Sequence, residues 1–142
     1  ASVPNEYYTA QIGKGKITKQ GEDISIITYG MGVIWAEEYA ESHNNIDLEI
    51  VDLRSLQPWD KEIIKTSIKK TGKAIVLTED TYTGAISAEI ASWISDELFE
   101  HLDAPVKRVG SLDTPVPFHA NLEEDFLPKK RLSETIEQLS QY

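Results

Sequence analysis

The sequence has no cysteine and few basic residues, and each scarcity excludes a class of protein. Without cysteine, the 142-residue chain forms no disulfide, no thiolate zinc or iron–sulfur centre and no cysteine nucleophile. Its 14 Lys and Arg residues against 24 Asp and Glu give a net charge of −10, which argues against nucleic-acid binding because that needs a basic surface. No apolar run reaches the roughly 20 residues of a membrane span, and no secretory signal is visible. We therefore expect a cytoplasmic protein that binds neither nucleic acid nor membranes.

Strand-like and helix-like segments alternate along the chain after residue 15. With 40% hydrophobic and 27% charged residues, the composition is that of one globular domain. Short runs of β-branched apolar residues indicate buried strands, and apolar residues three and four positions apart indicate helices. The predicted strands are residues 16–19, 24–29, 48–53, 74–78 and 106–109. The predicted helices are residues 33–42, 60–70, 85–102 and 131–141.

This alternation predicts an α/β fold with three layers, α/β/α, around a mostly parallel five-stranded sheet. The first strand is joined to the second by a tight turn rather than by a helix. We therefore expect it to be antiparallel and to lie at or near an edge of the sheet. Residues 1–14 carry Pro4, Tyr7 and Tyr8 without a strand or helix period. They are predicted to be a connector, and residues 15–142 the folded domain.

Charged and aromatic residues follow several of the predicted strands. Ligands bind at the carboxyl ends of the strands in open parallel sheets, and those ends carry Tyr29, Asp52, Arg54, Glu79 and Asp80. Capping of the following helices and pairing with Arg54 are the more common reasons for such residues. The pattern therefore leaves open a small-ligand-binding or regulatory module.

Sequence motifs for nucleotide binding, metal binding and nucleophilic catalysis are weak or missing. Gly30 and Gly32 suggest a dinucleotide fingerprint, but Trp35 stands where a third small residue is needed for close helix–strand packing. Neither a nucleophile elbow nor a phosphate-binding loop occurs. The three histidines have no partner at the spacing of a helical metal site: His43, His101 and His119. The residues alone reveal no catalytic machinery.

The segment from Asp113 to His119 is the most unusual in the chain. Pro115 and Pro117 restrict its backbone to extended conformations and present Phe118 from it. A rigid, apolar projection of this kind is more typical of a docking edge than of a catalytic loop.

Several separated segments resemble the transketolase C-terminal domain. The run DLRSLQPWD at residues 52–60 is similar to its signature, in the form found in the β subunit of thiamine-dependent 2-oxo acid dehydrogenases. Further matches follow in order: KTG at 70–72, TGAISAEI at 83–90, LDAPV at 102–106, RVG at 108–110 and DTPVP at 113–117. Residues 58–60 and 113–115 are more similar to the branched-chain (2-oxoisovalerate) enzymes than to the pyruvate enzymes. Pyruvate dehydrogenase, transketolase and deoxyxylulose-phosphate synthase remain the alternatives within this resemblance.

The resemblance implies an enzyme that decarboxylates a 2-oxo acid on thiamine diphosphate with Mg²⁺ and passes the acyl group to a lipoyl arm. The cofactor sites of such an enzyme lie on the α part or on an upstream pyrimidine-binding domain, to which residues 1–14 would connect. This chain is then expected to hold no catalytic, cofactor-binding or metal-binding residue and to be inactive by itself. Its implied role is a subunit interface with the α part and a second β part. The candidate interface residues are Asp113, Pro115, Pro117 and Phe118.

The resemblance also implies docking to the lipoyl acyltransferase core, whose subunit-binding domain is basic. The end of the predicted helix 85–102 is acidic, and no Lys or Arg occurs among residues 90–106. An acidic helix C-terminus is unfavourable because the helix dipole is already negative there, so a basic partner could compensate. The candidate docking residues are Asp96, Glu97, Glu100, Asp103 and, through the terminal carboxylate, Tyr142.

Overall fold

A computed structural model describes residues 5–142; residues 1–4 of the predicted connector lie outside the described residues. The strands are β1 (Lys16–Lys19), β2 (Ile24–Thr28), β3 (Leu48–Asp52), β4 (Ala74–Thr81) and β5 (Lys107–Ser111). The helices are α1 (Met31–Ser42), α2 (Lys61–Thr71), α3 (Ile86–Glu97), α4 (Ala120–Phe126) and α5 (Lys129–Leu139), with a 3₁₀ turn at Phe99–His101.

The five strands form one sheet in the order β1-β3-β2-β4-β5. Strands β2 to β5 are parallel, and β1 is an antiparallel edge strand that pairs with β3. The predicted α/β class, the five strands and the antiparallel edge are therefore confirmed. The tight turn after β1 does not make β2 its neighbour, because β3 lies between them.

Helices cover both faces of the sheet and create two apolar cores. On one face, α1 and α5 bury side chains against β2, β3 and β4, among them Trp35, Leu132 and Ile136. On the other face, α2 and α3 bury Ile64, Ile68, Ile90 and Ile94. Strands β2 and β3 supply both cores, which explains why their sequences are apolar runs rather than alternating patterns.

Helix α2 begins and ends at the capping residues that its sequence contains. Asp60 is the N-cap, and its Oδ1 accepts a hydrogen bond from Ile63 N at 3.3 Å. Gly72 ends the helix in the left-handed region, with φ of +67°, and its amide donates to Ile68 O.

The sequence prediction places the end of one helix wrongly and misses another helix. The long helix predicted over 85–102 ends at Glu97, and its continuation is a 3₁₀ turn. Acidic residues fill the last turn of α3 without any basic residue, which disfavours further helix there. Helix α4 is not predicted at all, because Phe126 is its one buried residue and leaves no apolar period to recognise.

An ion pair between a buried carboxylate and a partly exposed lysine connects β3 with α2. Glu49 is fully buried, and its carboxylate accepts a hydrogen bond from Lys70, whose side chain is 28% exposed. Nearby, the hydroxyl of Ser25 lies 2.6 Å from that of Ser67 and 2.7 Å from that of Thr71. Polar contacts as well as apolar packing thus hold α2 on this face of the sheet.

Candidate functional site

The carboxyl edge of the sheet contains the topological switch point of the fold. From β2 the chain passes through α1 to β3 on one side, whereas from β4 it passes through α3 to β5 on the other. The crevice where these connections diverge is the place where open α/β sheets bind ligands. Tyr29 and Asp80 meet across it, with Tyr29 Oη donating to Asp80 Oδ2 at 3.0 Å.

The surroundings of Tyr29 in this crevice favour its protonated form. Partial burial, the hydrogen bond to Asp80 and the negative charges of Asp80 and Glu79 raise the pKa of Tyr29 to about 12. Tyr29 therefore stays protonated at neutral pH and remains a hydrogen-bond donor. Asp80, predicted from sequence to be a strand-end group, holds β2 and β4 together at their carboxyl ends.

Asp113, the first of the predicted interface residues, is held within its own chain. Its carboxylate accepts hydrogen bonds from Thr83 Oγ1 at 2.6 Å and from Thr83 N at 2.8 Å. These two bonds, with a smaller contribution from Arg108, hold the pKa of Asp113 below its ordinary value of 3.8. Asp113 thereby joins the loop after β4 to the loop after β5.

Arg108 and Ser111 fix the same pair of loops from the side of β5. The Arg108 guanidinium lies 4.1 Å from the centre of the Tyr82 ring and donates to Tyr82 O at 3.2 Å. Ser111 Oγ donates to Glu79 O at 2.6 Å, and Tyr82 N donates to Ser111 O at 2.9 Å. The surface around Asp113 is therefore organised before any partner binds.

Beyond these anchors the carboxyl edge is apolar and exposed. Phe118 is fully exposed, with a relative accessibility of 105%, Pro115 is exposed and Pro117 is half-buried. A cavity of about 320 Å³ separates Val116 from the end of β4. Further exposed apolar side chains follow β2, β4 and β5, namely Met31, Tyr82, Leu112, Val116 and Leu122. We call Phe118 and these five residues the edge surface.

Sequence reasoning missed Arg131, which supports this surface from α5. Its guanidinium donates to four backbone carbonyls, at distances of 2.6 to 3.2 Å. One belongs to Gly110 in β5, and the others belong to Asp125, Phe126 and Leu127 at the end of α4. The helix C-terminus rule could have suggested such a partner, but α4 itself is not visible in the sequence.

The acidic candidates lie at the opposite end of the sheet, near the amino ends of the parallel strands. Asp96 and Glu97 close α3, Glu100 lies in the 3₁₀ turn, and all three are exposed beside Phe99, which is 76% exposed. Asp103 is exposed as well, and it has an additional contact, because its carboxylate lies beside Gly72 and its amide donates to Gly72 O at 2.8 Å. We call Asp96, Glu97, Glu100 and Phe99 the acidic surface.

Tyr142 is not on the acidic surface. It follows α5, which covers the opposite face of the sheet from α3, although both helices end near the amino edge. The structure therefore places four of the five predicted docking residues on the face of the sheet that α2 and α3 cover, and Tyr142 on the opposite face. The four predicted interface residues stay together at the carboxyl edge.

The residues at the carboxyl edge do not fit thiamine diphosphate with Mg²⁺. Glu79, Asp80 and Asp113 would oppose a diphosphate, and the nearby Arg108 is already stacked on Tyr82. Among residues 5–142, no three His, Asp or Glu side chains converge as ligands of a metal ion. No helix within that range is both long and apolar enough to span a bilayer.

These features define an α/β domain of the doubly wound class, with an organised carboxyl edge. A family model for the transketolase C-terminal domain matches residues 13–131. The chain belongs to the transketolase C-terminal domain family, which confirms the resemblance seen in the sequence.

Curated relatives include β subunits of several oxidoreductases. The acetoin:2,6-dichlorophenolindophenol oxidoreductase subunit beta of Bacillus subtilis is 39% identical, over 98% of this chain and 42% of that protein. The 2-oxoisovalerate dehydrogenase subunit beta of the same organism is 41% identical, over 88% of this chain and 39% of that protein. The pyruvate dehydrogenase E1 component subunit beta-2, mitochondrial, of rice (Oryza sativa) is 37% identical over 91% and 35%. This chain spans about two fifths of their length.

Solved structures support the fold assignment. A split-gene transketolase, described as an inactive β4 tetramer, superposes with a TM-score of 0.75 over 99% of this chain and 45% of that one, at 25% identity. A 2-oxoglutarate:ferredoxin oxidoreductase from Magnetococcus marinus has a TM-score of 0.54 over 89% of this chain at 16% identity, which concerns the fold alone.

Proposed function

We propose that this chain is the C-terminal assembly domain of the β part of a thiamine-dependent 2-oxo acid dehydrogenase. The observation that carries the proposal is the match of almost the whole chain to β subunits of such enzymes, at 41% and 37% identity. The organised edge surface supports it, because exposed apolar groups on a rigid support are typical of a protein interface. Thiamine diphosphate and Mg²⁺ would then be held by the α part and an upstream domain, which residues 1–14 connect to this one.

The two surfaces suggest two different partners. The edge surface, which includes Phe118, faces the rest of the enzyme, meaning the α part and the second β part, together with the adjacent Asp113, Pro115 and Pro117. The acidic surface faces a basic subunit-binding domain of the acyltransferase core. Because one surface lies at the carboxyl ends of the strands and the other near their amino ends, both partners could bind at the same time.

We infer 2-oxoisovalerate as the substrate of the complete enzyme. Residues 58–60 and 113–115 carry this inference, and a 2-oxoisovalerate dehydrogenase β subunit is among the relatives. The experiment combines the longer β part with its α part and follows reduction of dichlorophenolindophenol with 2-oxoisovalerate, pyruvate and acetoin. We expect the highest kcat/KM with 2-oxoisovalerate. A higher value with pyruvate or acetoin would contradict the substrate, and no activity with any of the three would contradict the enzyme class.

A further inference from the structure

We propose that residues 54–60 form a latch that fixes the path of the connector and thereby orients the domain that precedes it. The proposal rests on the proposed function, because it treats residues 5–12 as leading to an upstream domain of the β part. The partner of the latch is thus the same polypeptide, in the segment that ends at Gly15.

Two backbone amides of the connector are bound by side chains of this loop. Gly13 N donates to Ser55 Oγ at 2.9 Å, and Gly15 N donates to Asp60 Oδ2 at 3.2 Å. The ammonium of Lys14 lies 3.6 Å from the same Asp60 oxygen. Each of three successive connector residues therefore has its own contact with the latch.

The connector also fits closely against the loop. Gly13 has φ of +76°, a conformation that other residues rarely adopt, and a Cβ there would lie 3.2 Å from Pro58 Cγ. A Cβ on Gly15 would lie 3.0 Å from Asp52 O. Glycine at residue 13 allows the backbone to approach the latch, and glycine at residue 15 allows it to approach the end of β3, whereas a freely moving linker would need no such fit.

Asp60 couples the connector to the folded domain. It is 7% exposed, and while Oδ2 accepts from Gly15, Oδ1 caps α2 by accepting from Ile63 N. One carboxylate thus holds both the start of a core helix and the end of the connector. A helix N-cap alone needs one oxygen, so the second oxygen of Asp60 is free to accept the hydrogen bond from Gly15 N.

The position of the latch determines where the upstream polypeptide lies. Lys16 pairs with Asp52 at the end of β3, so the connector enters at the carboxyl edge of the sheet. Before the latch, Tyr7, Tyr8 and Ile12 are exposed by 94%, 63% and 80%. A fixed connector therefore directs an apolar segment and its domain toward the same edge that carries the edge surface.

The test uses the longer β part with the double substitution Ser55→Ala and Asp60→Asn. Asparagine keeps one oxygen to cap α2 but cannot also accept from Gly15, so the helix should persist while the latch is lost. Glu62→Gln is the matched control, because it removes one carboxylate from the same helix without touching the connector. Amide hydrogen exchange reports the latch, and small-angle X-ray scattering reports the arrangement of the domains.

We expect the double variant to raise the exchange rates of Gly13 and Gly15 at least tenfold and to increase the radius of gyration, with exchange within α2 unchanged. Unchanged exchange at both amides, or the same acceleration in Glu62→Gln, would overturn the latch. Accelerated exchange with an unchanged radius of gyration would overturn its orienting role. None of these outcomes depends on substrate or α part, so the assay of the proposed function can fail while the latch survives, and the reverse.

Discussion

Arg131 shows how one side chain can stabilise the least regular part of the chain. Its four hydrogen bonds satisfy carbonyls at the end of α4 and in β5, one of which, Phe126 O, also accepts from Leu112 N at 3.2 Å. Charge-assisted bonds to partly buried carbonyls contribute more than neutral ones. We predict that Arg131→Ala lowers the free energy of unfolding by about 2–3 kcal/mol, as measured by urea denaturation. Lys130→Ala, an exposed neighbour, should change it by less than about 0.5 kcal/mol; equal losses would contradict this role for Arg131.

Asp113 gives the carboxyl edge a dependence on pH. Because the two bonds from Thr83 lower the pKa of Asp113, the ionised carboxylate stabilises the folded loop. That stabilisation is complete above the ordinary value of 3.8 and is lost as the pH falls through the lower folded value. We predict that an NMR titration of the Thr83 amide gives a midpoint below 3.8, and that Asp113→Asn removes the transition. A midpoint at or above 3.8 would show that the two hydrogen bonds from Thr83 to Asp113 are absent in solution.

Lys70 is expected to contribute much more to the stability of the fold than its exposure suggests. It is the cation that balances the fully buried Glu49, and removing one partner of a buried pair leaves an uncompensated charge. We predict that Lys70→Met destabilises the fold by about 3–5 kcal/mol in urea denaturation. Lys69→Met, the exposed neighbour, is the control and should cost less than about 0.5 kcal/mol. Similar effects of the two changes would mean that Glu49 is not held as an ion pair.

At the scale of elements, the end of α3 and the 3₁₀ turn form a surface with a strong electrostatic bias. Asp96, Glu100 and Asp103 are all exposed, and Asp96 and Glu100 are chosen for charge reversal because Asp103 also contacts Gly72. Charges of this kind raise association rates with an oppositely charged partner, and salt weakens the effect.

We predict that Asp96→Lys with Glu100→Lys slows association of the β part with a basic subunit-binding domain at least tenfold at low salt. Glu37→Lys with Glu41→Lys is the control, because it has the same spacing and charge change on α1, on the opposite face of the sheet. Surface plasmon resonance at about 50 and 500 mM salt measures both rates, since the Debye length shortens severalfold between them. Equal rates for the two variants, or no dependence on salt, would exclude this surface as the docking site.

The elements that the sequence predicts well are those whose own residues carry the signal. Strands β2 and β3 are apolar runs, and α2 has both its caps in the sequence. Tertiary contacts decide the rest: β1 pairs with β3 rather than with its neighbour in sequence, and α4 is held by Arg131 from another helix. The site follows the same division, since prolines predict a rigid edge at 115–117, whereas the bond between Tyr29 and Asp80 joins residues 51 positions apart.

At the scale of the whole molecule, the fold separates the two proposed interaction surfaces by the length of the strands. The edge surface and the latch lie at the carboxyl ends of the strands, and the acidic surface lies near their amino ends. This arrangement is consistent with the proposed function, in which one end of the domain contacts the rest of its enzyme and the other end contacts the acyltransferase core. The proposal assigns this chain to association rather than to the chemical step.

The most direct measurement of that claim is the assembly and activity of the longer β part carrying Phe118→Asp, combined with its α part. Phe118 is fully exposed, so the change should leave folding intact. Phe99→Asp, at the other edge, is the matched control. Mass photometry gives the assembly constant, and a saturating 2-oxo acid gives kcat per assembled enzyme. We predict that Phe118→Asp weakens assembly at least tenfold with kcat unchanged, whereas Phe99→Asp alters neither; unchanged assembly with a lost kcat would place Phe118 in the catalytic site and contradict the account.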